Sequence, residues 1–415
     1  MTFLIAMHLW LRALFGASAA IRRWLTAGIM AVSLAGCGGG VDFGDLFSDT
    51  GQPQGGQNAQ QQQAPQPPEV GQGAPRVALL LPLSAAGGTG RIARAMKKSA
   101  ELAMIDAGNP GITLVVKDTT GTPAGARMAA QAALGEGARL ILGPLLAGSV
   151  KAVAPEAAAR NVPVIAFSSQ ASVAGNGVYL MSFLPGEEVD NVVRYAVRTG
   201  KRNIAALIPQ SAYGNIAVRA LYEAAKRHKA SIVAEERYVA TPSGIAAPAA
   251  RMARKLASPS SKADALFFPE APRLVKAAGA AMTQSGFTPA TVKLLGTGLW
   301  DSAAIRTAPL AIGGWYAGVE PRLVKYFSDH YAQSYGAKPP RLASLAYDAT
   351  SLAISLGKGA FSASEIQNPE GFQGMNGLFR FRSNGLIQRG LAILEVTPSG
   401  PRVAAPAPTR FSSGY

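Results

Sequence analysis

The chain has 415 residues, of which 48% are apolar, and its 40 basic and 24 acidic side chains give a formal net charge of +16. This length and composition are typical of a globular protein with two or three domains. The basic residues are dispersed and no zinc-finger, basic-zipper or aromatic RNA-binding motif accompanies them, so we expect no nucleic-acid partner. A single cysteine excludes an intramolecular disulfide.

The N-terminal region has the parts of an export signal. Arg22 and Arg23 precede an apolar run, WLTAGIMAVSLAG (24–36), which is too short for a comfortable membrane span and ends directly before Cys37. The sequence Leu-Ala-Gly-Cys resembles the bacterial lipobox, in which the cysteine receives a diacylglyceryl group and the chain is cut before it. The resemblance implies a signal peptide over residues 1–36 and lipid attachment at Cys37. The alternative is a buried or incidental thiol.

Residues 37–75 are predicted to be a tether. The stretch TGQPQGGQNAQQQQAPQPPEVGQGAP (50–75) cannot bury enough apolar surface to offset chain entropy, so we expect it to be disordered and to hold a folded domain away from a bilayer. By resemblance to known lipoprotein sorting, a residue such as Gly38 after the cysteine favours the outer membrane. We therefore expect a lipid-anchored protein on the periplasmic side of a bacterial membrane, the outer membrane rather than the inner.

The folded domain is predicted to begin at residue 76 with an alternation of strands and helices. Predicted strands lie at 76–83, 112–118, 139–146, 162–168 and 178–183, and predicted helices at 91–107, 123–135, 149–159 and 186–198. The first strand is a continuous apolar run, as a strand buried on both faces requires. This rhythm predicts an α/β fold with a doubly wound, mainly parallel sheet and helices on both of its faces.

A second α/β series follows. Its predicted strands lie at 203–209, 231–238, 265–270 and 292–297, and its helices at 214–228, 244–256 and 272–284. Helices near 322–335 and 341–356 come next, and Asn384-Gly385 in the segment 377–396 predicts a hairpin turn. We expect residues 397–415 to form a loose tail.

Two α/β series and a returning segment predict two lobes with a cleft between them, within residues 76–396. Lobe 1 would comprise about 76–184 plus 310–365, and lobe 2 about 185–309 plus 366–396. In open parallel sheets, ligands lie beyond the carboxyl ends of the strands. Those ends read FSS (167–169), PQS (209–211) and GTG (296–298) here, and such small, polar or turn-forming residues suit the rim of a cleft.

Catalysis is not expected. Beyond the signal region the only histidines are His228 and His330, which leaves few options for a histidine-based triad or metal cluster. The chain has no G-x-S-x-G motif, and a G-x-G-x-x-A match at 88–93 follows a loop too long for a dinucleotide-binding turn. We expect no enzyme activity, no metal and no cofactor.

Three segments resemble the leucine/isoleucine/valine-type periplasmic amino-acid binding proteins, which have the two-lobed type I periplasmic-binding-protein fold. They are VALLLPLS (77–84), LILGPLLAGSVKAVAPEAAARNVPVIAFSS (140–169) and ALIPQSAYGNIAVRAL (206–221). Within that superfamily, the segments at 165–200 and 374–396 look more like lipoproteins that activate penicillin-binding proteins. Those lipoproteins share the fold and act by protein contact on peptidoglycan synthases.

The resemblance implies candidate residues for a ligand carboxylate and for an aromatic contact. In the amino-acid binders, hydroxyls and backbone N–H groups hold the carboxylate and a tyrosine packs over the ligand. Carried over by position, the hydroxyls are Ser168 and Ser169, and the tyrosine is Tyr213. A serine usual after the third strand falls at Ala147, with Ser149 two residues later. The alternatives are turn-forming serines and a loop tyrosine that packs between the lobes.

The resemblance also implies an acidic side chain for the ligand ammonium. The usual glutamate falls at about Gly298, so the candidates are Glu270 and Asp301. The alternative is a solvated carboxylate or a charge at a helix N-terminus, which the position of Glu270 before a helix favours. This departure makes the family's α-amino acid ligand an open question for this chain.

Two functions compete at this stage. The first is binding of an amino acid or related small solute between the lobes, for transport or sensing, with an ABC permease as partner, which the hydroxyl-lined cleft and Tyr213 favour. The second is activation of a penicillin-binding protein by contact, which the long tether and Gly38 favour.

Overall fold

The computed structural model describes residues 73–108, 110–289, 292–357 and 359–411. Cys37, the predicted signal peptide and the predicted tether up to residue 72 therefore lie outside the described residues. Within the described part of the chain, no helix is both long and apolar enough to cross a membrane.

The first sheet is wholly parallel. Its strands, in the spatial order β2-β1-β3-β4-β5, are β1 (Arg76–Leu81), β2 (Thr113–Asp118), β3 (Ala138–Leu142), β4 (Val164–Ala166) and β5 (Val178–Leu180). Alternate residues of β1 enter two different apolar clusters: Leu79 contacts one and Leu80 the other. The continuous apolar run therefore packs on both faces of the sheet, as predicted.

Three helices cover this sheet. They are α1 (Gly87–Ala107), α2 (Pro123–Gly135) and α3 (Ala147–Ala158). Met96 of α1 packs with Leu79 on one face, whereas Ala130 of α2 and Val153 of α3 pack with Leu80 on the other. Helices on opposite faces are the doubly wound arrangement that the sequence predicted.

The second sheet has seven strands and repeats the order of the first. It runs β15-β14-β10-β9-β8-β6-β7, with β6 (Asn203–Pro209), β7 (Ser231–Tyr238), β8 (Ala265–Phe267), β9 (Lys293–Leu295), β10 (Trp315–Gly318), β14 (Ala392–Thr397) and β15 (Gly400–Ala405). The strands β6 to β10 are parallel, and β14 and β15 add an antiparallel pair beside β10. Taken in chain order, the five parallel strands have the same second-first-third-fourth-fifth arrangement as the first sheet.

Four helices accompany the second sheet: α4 (Pro185–Arg198), α5 (Ala212–His228), α6 (Pro242–Ala257) and α7 (Pro272–Gln284). Short 3₁₀ turns follow β9 at Gly298–Trp300, Ala303–Thr307 and Pro309–Ala311. Another 3₁₀ turn, Ala171–Val173, follows β4.

The chain then returns to the first sheet through α8 (Pro321–Tyr335), α9 (Ala343–Leu356) and the short α10 (Ala363–Ile366). The helix α9 packs along α1, where Ala343 and Tyr347 share an apolar cluster with Leu102. A third, antiparallel sheet consists of β11 (Phe372–Gly374), β12 (Gly377–Phe381) and β13 (Ile387–Arg389). The turn at Asn384-Gly385 joins β12 to β13, which confirms the predicted hairpin.

We call lobe 1 the first and third sheets with α1–α3 and α8–α10, and lobe 2 the second sheet with α4–α7. The chain passes between them at 181–184, 319–320 and 390–391, which we call the first, second and third crossings. Two predicted boundaries are corrected. Strand β10 pairs with β9 in lobe 2, so the return to lobe 1 begins near 319 and not at 310. Residues 372–389, which were predicted to belong to lobe 2, form the third sheet beside lobe 1. Leu180 of lobe 1 donates its N–H to Gly385 O (2.8 Å), so the chain enters lobe 2 for the last time near 390 and not at 366.

The prediction of a loose tail after residue 396 is wrong for its described part. Residues 400–405 pair with β14 as an edge strand, and Ala404 and Ala405 pack against the core. The prolines and serine at 397–401 suggested a loose tail because such residues are common in loops. A tight turn and an edge strand accept them equally well, so they do not exclude strand β15. Residues 412–415 lie outside the described part of the chain.

Candidate functional site

The two switch points of strand order lie between β1 and β3 in lobe 1 and between β6 and β8 in lobe 2. Ligands of doubly wound sheets lie outside the carboxyl ends of strands at such points. On the other side of β1 from the lobe 1 switch point, Asp118 ends β2, and its Oδ1 accepts the N–H groups of Leu83 (2.9 Å) and Thr120 (2.8 Å). These bonds tie the ends of β1 and β2 together, and the neighbouring Ser84 stays exposed.

The three candidate serines of lobe 1 have different surroundings. Ser168 is buried, and its Oγ accepts the N–H of Gln170 (3.2 Å), which is the turn-forming role proposed as its alternative. Ser149 is also buried, in the first turn of α3, and its hydroxyl has no hydrogen-bond partner in the described structure. Ser169 is exposed. Of the three, only Ser169 is open to a ligand in this conformation.

Tyr213 lies in the first turn of α5, at the carboxyl end of β6. Ser211 caps this helix by accepting the N–H of Gly214 at 3.0 Å. The Tyr213 hydroxyl is hydrogen-bonded to Oγ1 of Thr297 (2.7 Å), a residue with no exposed surface. Burial, and then the nearby carboxylate of Glu188, raises the pKa of Tyr213 far above its ordinary value. The tyrosine thus joins two strand ends of lobe 2.

Glu270 is committed to the protein itself. It is buried, and it accepts hydrogen bonds from the Tyr238 hydroxyl (2.7 Å) and from the N–H of Ala271 (2.8 Å). Burial raises the pKa of Glu270 despite these bonds. Both carboxylate oxygens therefore have partners just before the N-terminus of α7. This supports the alternative in which Glu270 is a charge at a helix N-terminus.

A carboxylate from another element lies against Gly298, where the resemblance implies an acidic side chain. Glu188, from the first turn of α4, accepts the N–H of Gly298 at 2.9 Å through Oε2. A Cβ atom built on Gly298 would lie 2.3 Å from the other oxygen of Glu188, so a side chain at this position would displace the Glu188 carboxylate. Glu188 is 6% exposed, and burial raises its pKa. A carboxylate is therefore present at the expected place, but it comes from α4.

Arg341, in the loop before α9, neutralises this carboxylate. Its Nη1 donates to Gly298 O (3.1 Å), and its Nη2 lies 3.8 Å from Oε1 of Glu188. Its Nε lies 3.8 Å from Oδ2 of Asp301, and its guanidinium lies 4.3 Å from the ring centre of Phe183 in the first crossing. The Arg341 side chain, from lobe 1, thus contacts both the end of β9 in lobe 2 and the first crossing.

Asp301 belongs to the same cluster. It accepts a long hydrogen bond from the Tyr316 hydroxyl (3.4 Å) in addition to the ion pair with Arg341. Burial and the Asp301 carboxylate raise the pKa of Tyr316 well above its ordinary value. We call Glu188, Gly298, Asp301 and Arg341 the cleft cluster.

This chemistry differs from that of an open ammonium site. Two carboxylates flank one guanidinium, and a ligand cation would have to compete with Arg341 for them. The described residues hold no group of three or more His, Cys, Asp and Glu side chains that could bind a metal ion.

An open cavity of about 340 Å³ adjoins Asp301. Helix α8 and the loop after it line one side, and strand β15 lines the other, through Pro321, Val324, Lys325, Ser328, Asp329, Lys338 and Pro401. Both lobes therefore contribute to it. Its volume lies near the lower limit of ligand pockets, which begin at about 300 Å³.

The sequence prediction missed Glu188 and Arg341, and it gave Thr297 only as part of the cleft rim. Glu188 follows Pro185 at a predicted helix start, where an acidic residue is favourable without any further role. Arg341 lies 153 residues further along the chain in a loop, and no spacing rule connects the two. The glycine at the expected acid position was the one available signal that another side chain supplies the charge.

The chain belongs to the periplasmic binding protein family, whose sequence pattern matches residues 75–400. No curated protein matches the chain by sequence. Among solved structures, a putative branched-chain amino acid ABC transporter protein from Rhodospirillum rubrum superimposes with a TM-score of 0.70 at 17% identity, covering 80% of this chain and 99% of that one. These values establish a shared two-lobed fold.

Two further neighbours have different described roles. The C-domain of LpoA from Haemophilus influenzae, a regulator of PBP1A, has a TM-score of 0.62 at 18% identity and covers 79% of this chain and 100% of its own. The substrate-binding protein LivJ from Streptococcus pneumoniae, solved with isoleucine, has a TM-score of 0.54 at 19% identity, with coverages of 80% and 100%. The fold is thus shared by binding and regulatory proteins.

Proposed function

We propose that this chain is a lipid-anchored periplasmic binding protein that activates a penicillin-binding protein, a peptidoglycan synthase, by protein contact and without catalysis. In this proposal Cys37 carries the lipid, the anchor lies in the outer membrane, and residues 37–75 give the folded domain its reach.

The observation that carries the proposal is the cleft cluster. The resemblance implies that the acid for a ligand ammonium falls at about Gly298, and there Glu188 already accepts the N–H of Gly298 and pairs with Arg341. Displacing Arg341 would leave buried carboxylate charge without its partner, at a cost of about 3–5 kcal/mol. A binding protein whose ammonium site is satisfied internally is better suited to contacting a partner than to taking up an amino acid.

Two further points support the proposal. The segments at 165–200 and 374–396 resemble lipoproteins that activate penicillin-binding proteins, and the H. influenzae neighbour is described as a regulator of PBP1A. The predicted tether is longer than an inner-membrane transport protein requires, whereas contact from the outer membrane needs reach across the periplasm.

A second candidate is the binding of an amino acid or related small solute for an ABC permease. The cavity of about 340 Å³ between α8 and β15 favours it, because Asp301 faces that cavity and both lobes line it. The R. rubrum and S. pneumoniae neighbours, described as ABC transporter proteins, are consistent with this alternative.

The test uses the full lipidated chain in detergent, immobilised and incubated with membrane extract of its own bacterium. Fluorescent penicillin then identifies any captured penicillin-binding protein, and the purified synthase is assayed for glycan polymerisation and cross-linking with and without the chain. The proposal predicts capture and a faster synthase. Capture without any change in synthase rate, or no penicillin-labelled protein, would contradict it.

A matched arm addresses the solute candidate. The same chain is tested by thermal shift against the common amino acids and peptidoglycan fragments. A saturable shift with an amino acid that Ser169→Ala or Tyr213→Ala abolishes would favour the solute candidate. Met128→Ala, an exposed change on α2, is the control and leaves any shift unaltered.

A further inference from the structure

The segment after β15 leaves lobe 2 and ends against lobe 1. Residues 406–411 (PAPTRF) follow the edge strand of the second sheet. The N–H of Ala407 donates to Oε1 of Glu320 (3.1 Å), and Glu320 lies in the second crossing. Glu320 is further held by Arg322, whose Nε donates to its other oxygen (2.6 Å).

The next contact is with the third crossing. A Cβ atom built on Gly390 would lie 2.9 Å from Cγ of Pro408 and 3.3 Å from its Cδ. The proline ring is therefore in van der Waals contact with the backbone at Gly390, which glycine alone permits without displacing the ring. The segment thus contacts two of the three crossings within two residues.

The last contact is with the third sheet. The Arg380 guanidinium on β12 lies 4.4 Å from the ring centre of Phe411, a cation–π distance. The same ring lies against Gly371, where a Cβ atom would be 2.9 Å from Cε2. This sheet is fixed to lobe 1, because Asp348 of α9 accepts the N–H of Met375 (2.6 Å).

We infer that residues 406–411 form a hinge strap that restricts the movement of the two lobes relative to each other. The strap begins on lobe 2, contacts the second and third crossings, and ends on lobe 1. Pro406 and Pro408 fix two of its backbone φ angles, so it favours an extended conformation with little slack. Six residues span at most about 20 Å when extended, so any large opening of the lobes must detach one end.

The strap goes beyond the proposed function and holds for either candidate. If Phe411 left its contacts with Arg380 and Gly371, the two lobes could move further apart than they can while the strap is bound. Since the outcome is measured as a distance between lobes, it is independent of whether a synthase or a solute binds.

The test measures that distance in the full chain with Cys37→Ser, spin-labelled at Met128→Cys on α2 and Ile216→Cys on α5, two exposed positions in different lobes. Double electron–electron resonance is compared for this chain, a chain that ends after Ala405 and a matched chain that ends after Phe411. We expect a shift of several ångström to longer distance and a broader distribution only when the strap is missing.

If the chain that ends after Ala405 does not fold, single substitutions within the strap test the same inference. Ala407→Pro removes the N–H that Glu320 accepts, and Phe411→Ala removes the ring. Each is expected to shift the distribution in the same direction by less than the truncation, whereas Thr409→Ala, an exposed control, leaves it unchanged. Identical distributions in the strapped chain and in these folded variants would overturn the inference.

Discussion

The two lobes have the same order of parallel strands but different strand ends. In lobe 1, Ser84 and Ser169 are exposed at the carboxyl edge of the sheet. In lobe 2, Tyr213 is bonded to Thr297, and Gly298 is bonded to Glu188 and Arg341. Both lobes tie strand ends together, through Asp118 in lobe 1 and through Thr297 and Glu188 in lobe 2, but Ser84 and Ser169 keep exposed surface in lobe 1.

This difference shows that strand order alone does not make a binding site. The backbone brings the strand ends together, but side chains from neighbouring elements decide whether those ends are available. In lobe 2, Glu188 from α4 and Arg341 from the loop before α9 approach one glycine. If these contacts hold the strand ends of lobe 2 in place, substitutions there should lower the free energy of unfolding more than the substitution of exposed Ser169 in lobe 1.

The largest effect is expected from Arg341→Met. It removes the donor to Gly298 O and leaves Glu188 buried without its ion-pair partner, so the free energy of unfolding should fall by about 3 kcal/mol. Urea unfolding followed by circular dichroism measures this change.

The matched control for Arg341→Met is Arg322→Met. Arg322 also pairs with a glutamate but is 80% exposed, so we expect a change within about 0.5 kcal/mol. Adding Glu188→Gln to Arg341→Met should recover part of the loss, because the uncompensated charge is removed. Equal effects of the two arginine substitutions would show that the cleft cluster is not specially stabilised.

A smaller effect is expected from Tyr213→Phe. The change leaves the buried hydroxyl of Thr297 with only the long hydrogen bond from the N–H of Leu299 (3.5 Å) and should cost about 1–2 kcal/mol of stability. Tyr326→Phe, at an exposed position on α8, serves as the control and should change stability by less than about 0.5 kcal/mol. Indistinguishable urea midpoints for the two variants would contradict the bridging role of Tyr213.

Lobe 1 has a contact between a histidine and a carboxylate away from the strand ends. His330 Nε2 and the Tyr347 hydroxyl both contact Oδ2 of Asp106, at 2.8 and 2.7 Å, and the ring of Tyr326 stacks on the histidine. The hydrogen bond to Asp106 raises the pKa of His330 although burial opposes this. Because the folded-state pKa is raised, the stabilisation is fully present below pH about 6.5 and is lost as pH rises through the folded value.

His330→Gln should therefore destabilise the chain by about 0.5–1 kcal/mol at pH 5.5 and by less at pH 9. Urea unfolding at the two pH values gives the difference directly, and His228→Gln, beside Asp190 in lobe 2, is a comparison variant. A loss that is the same at both pH values would mean that the Asp106 contact does not depend on the charge of His330.

The smallest effect is expected from Ser169→Ala. The residue is exposed, so its loss should change stability by less than about 0.5 kcal/mol. A larger loss of stability would show that the Ser169 hydroxyl is also bonded within the protein, and the contrast with Tyr213 and Thr297 would disappear.

Hydrophobic periodicity predicted most of the strands and helices because each buries a regular apolar face. It placed β10 in the wrong lobe because a four-residue strand, WYAG, gives no signal about which sheet it joins. The strap was also missed, since Pro408 and Phe411 acquire their role only through contacts with Gly390 and Arg380, distant in sequence.

The placement of the candidate residues in the fold was predicted in part, and their contact with a ligand stays a prediction. Tyr213 and Asp301 do lie at the strand ends of lobe 2, and Glu270 lies before a helix as its alternative suggested. The pairing of Glu188 with Arg341 could not be predicted, because long-range charge pairs leave no periodic pattern in a sequence.

Isothermal titration of the full chain with isoleucine, leucine and valine tests the central claim most directly. If the cleft cluster satisfies the ammonium position, no saturable heat should appear at millimolar ligand. Saturable binding that Tyr213→Ala abolishes would contradict the account and would make the lobe 2 strand end a ligand site.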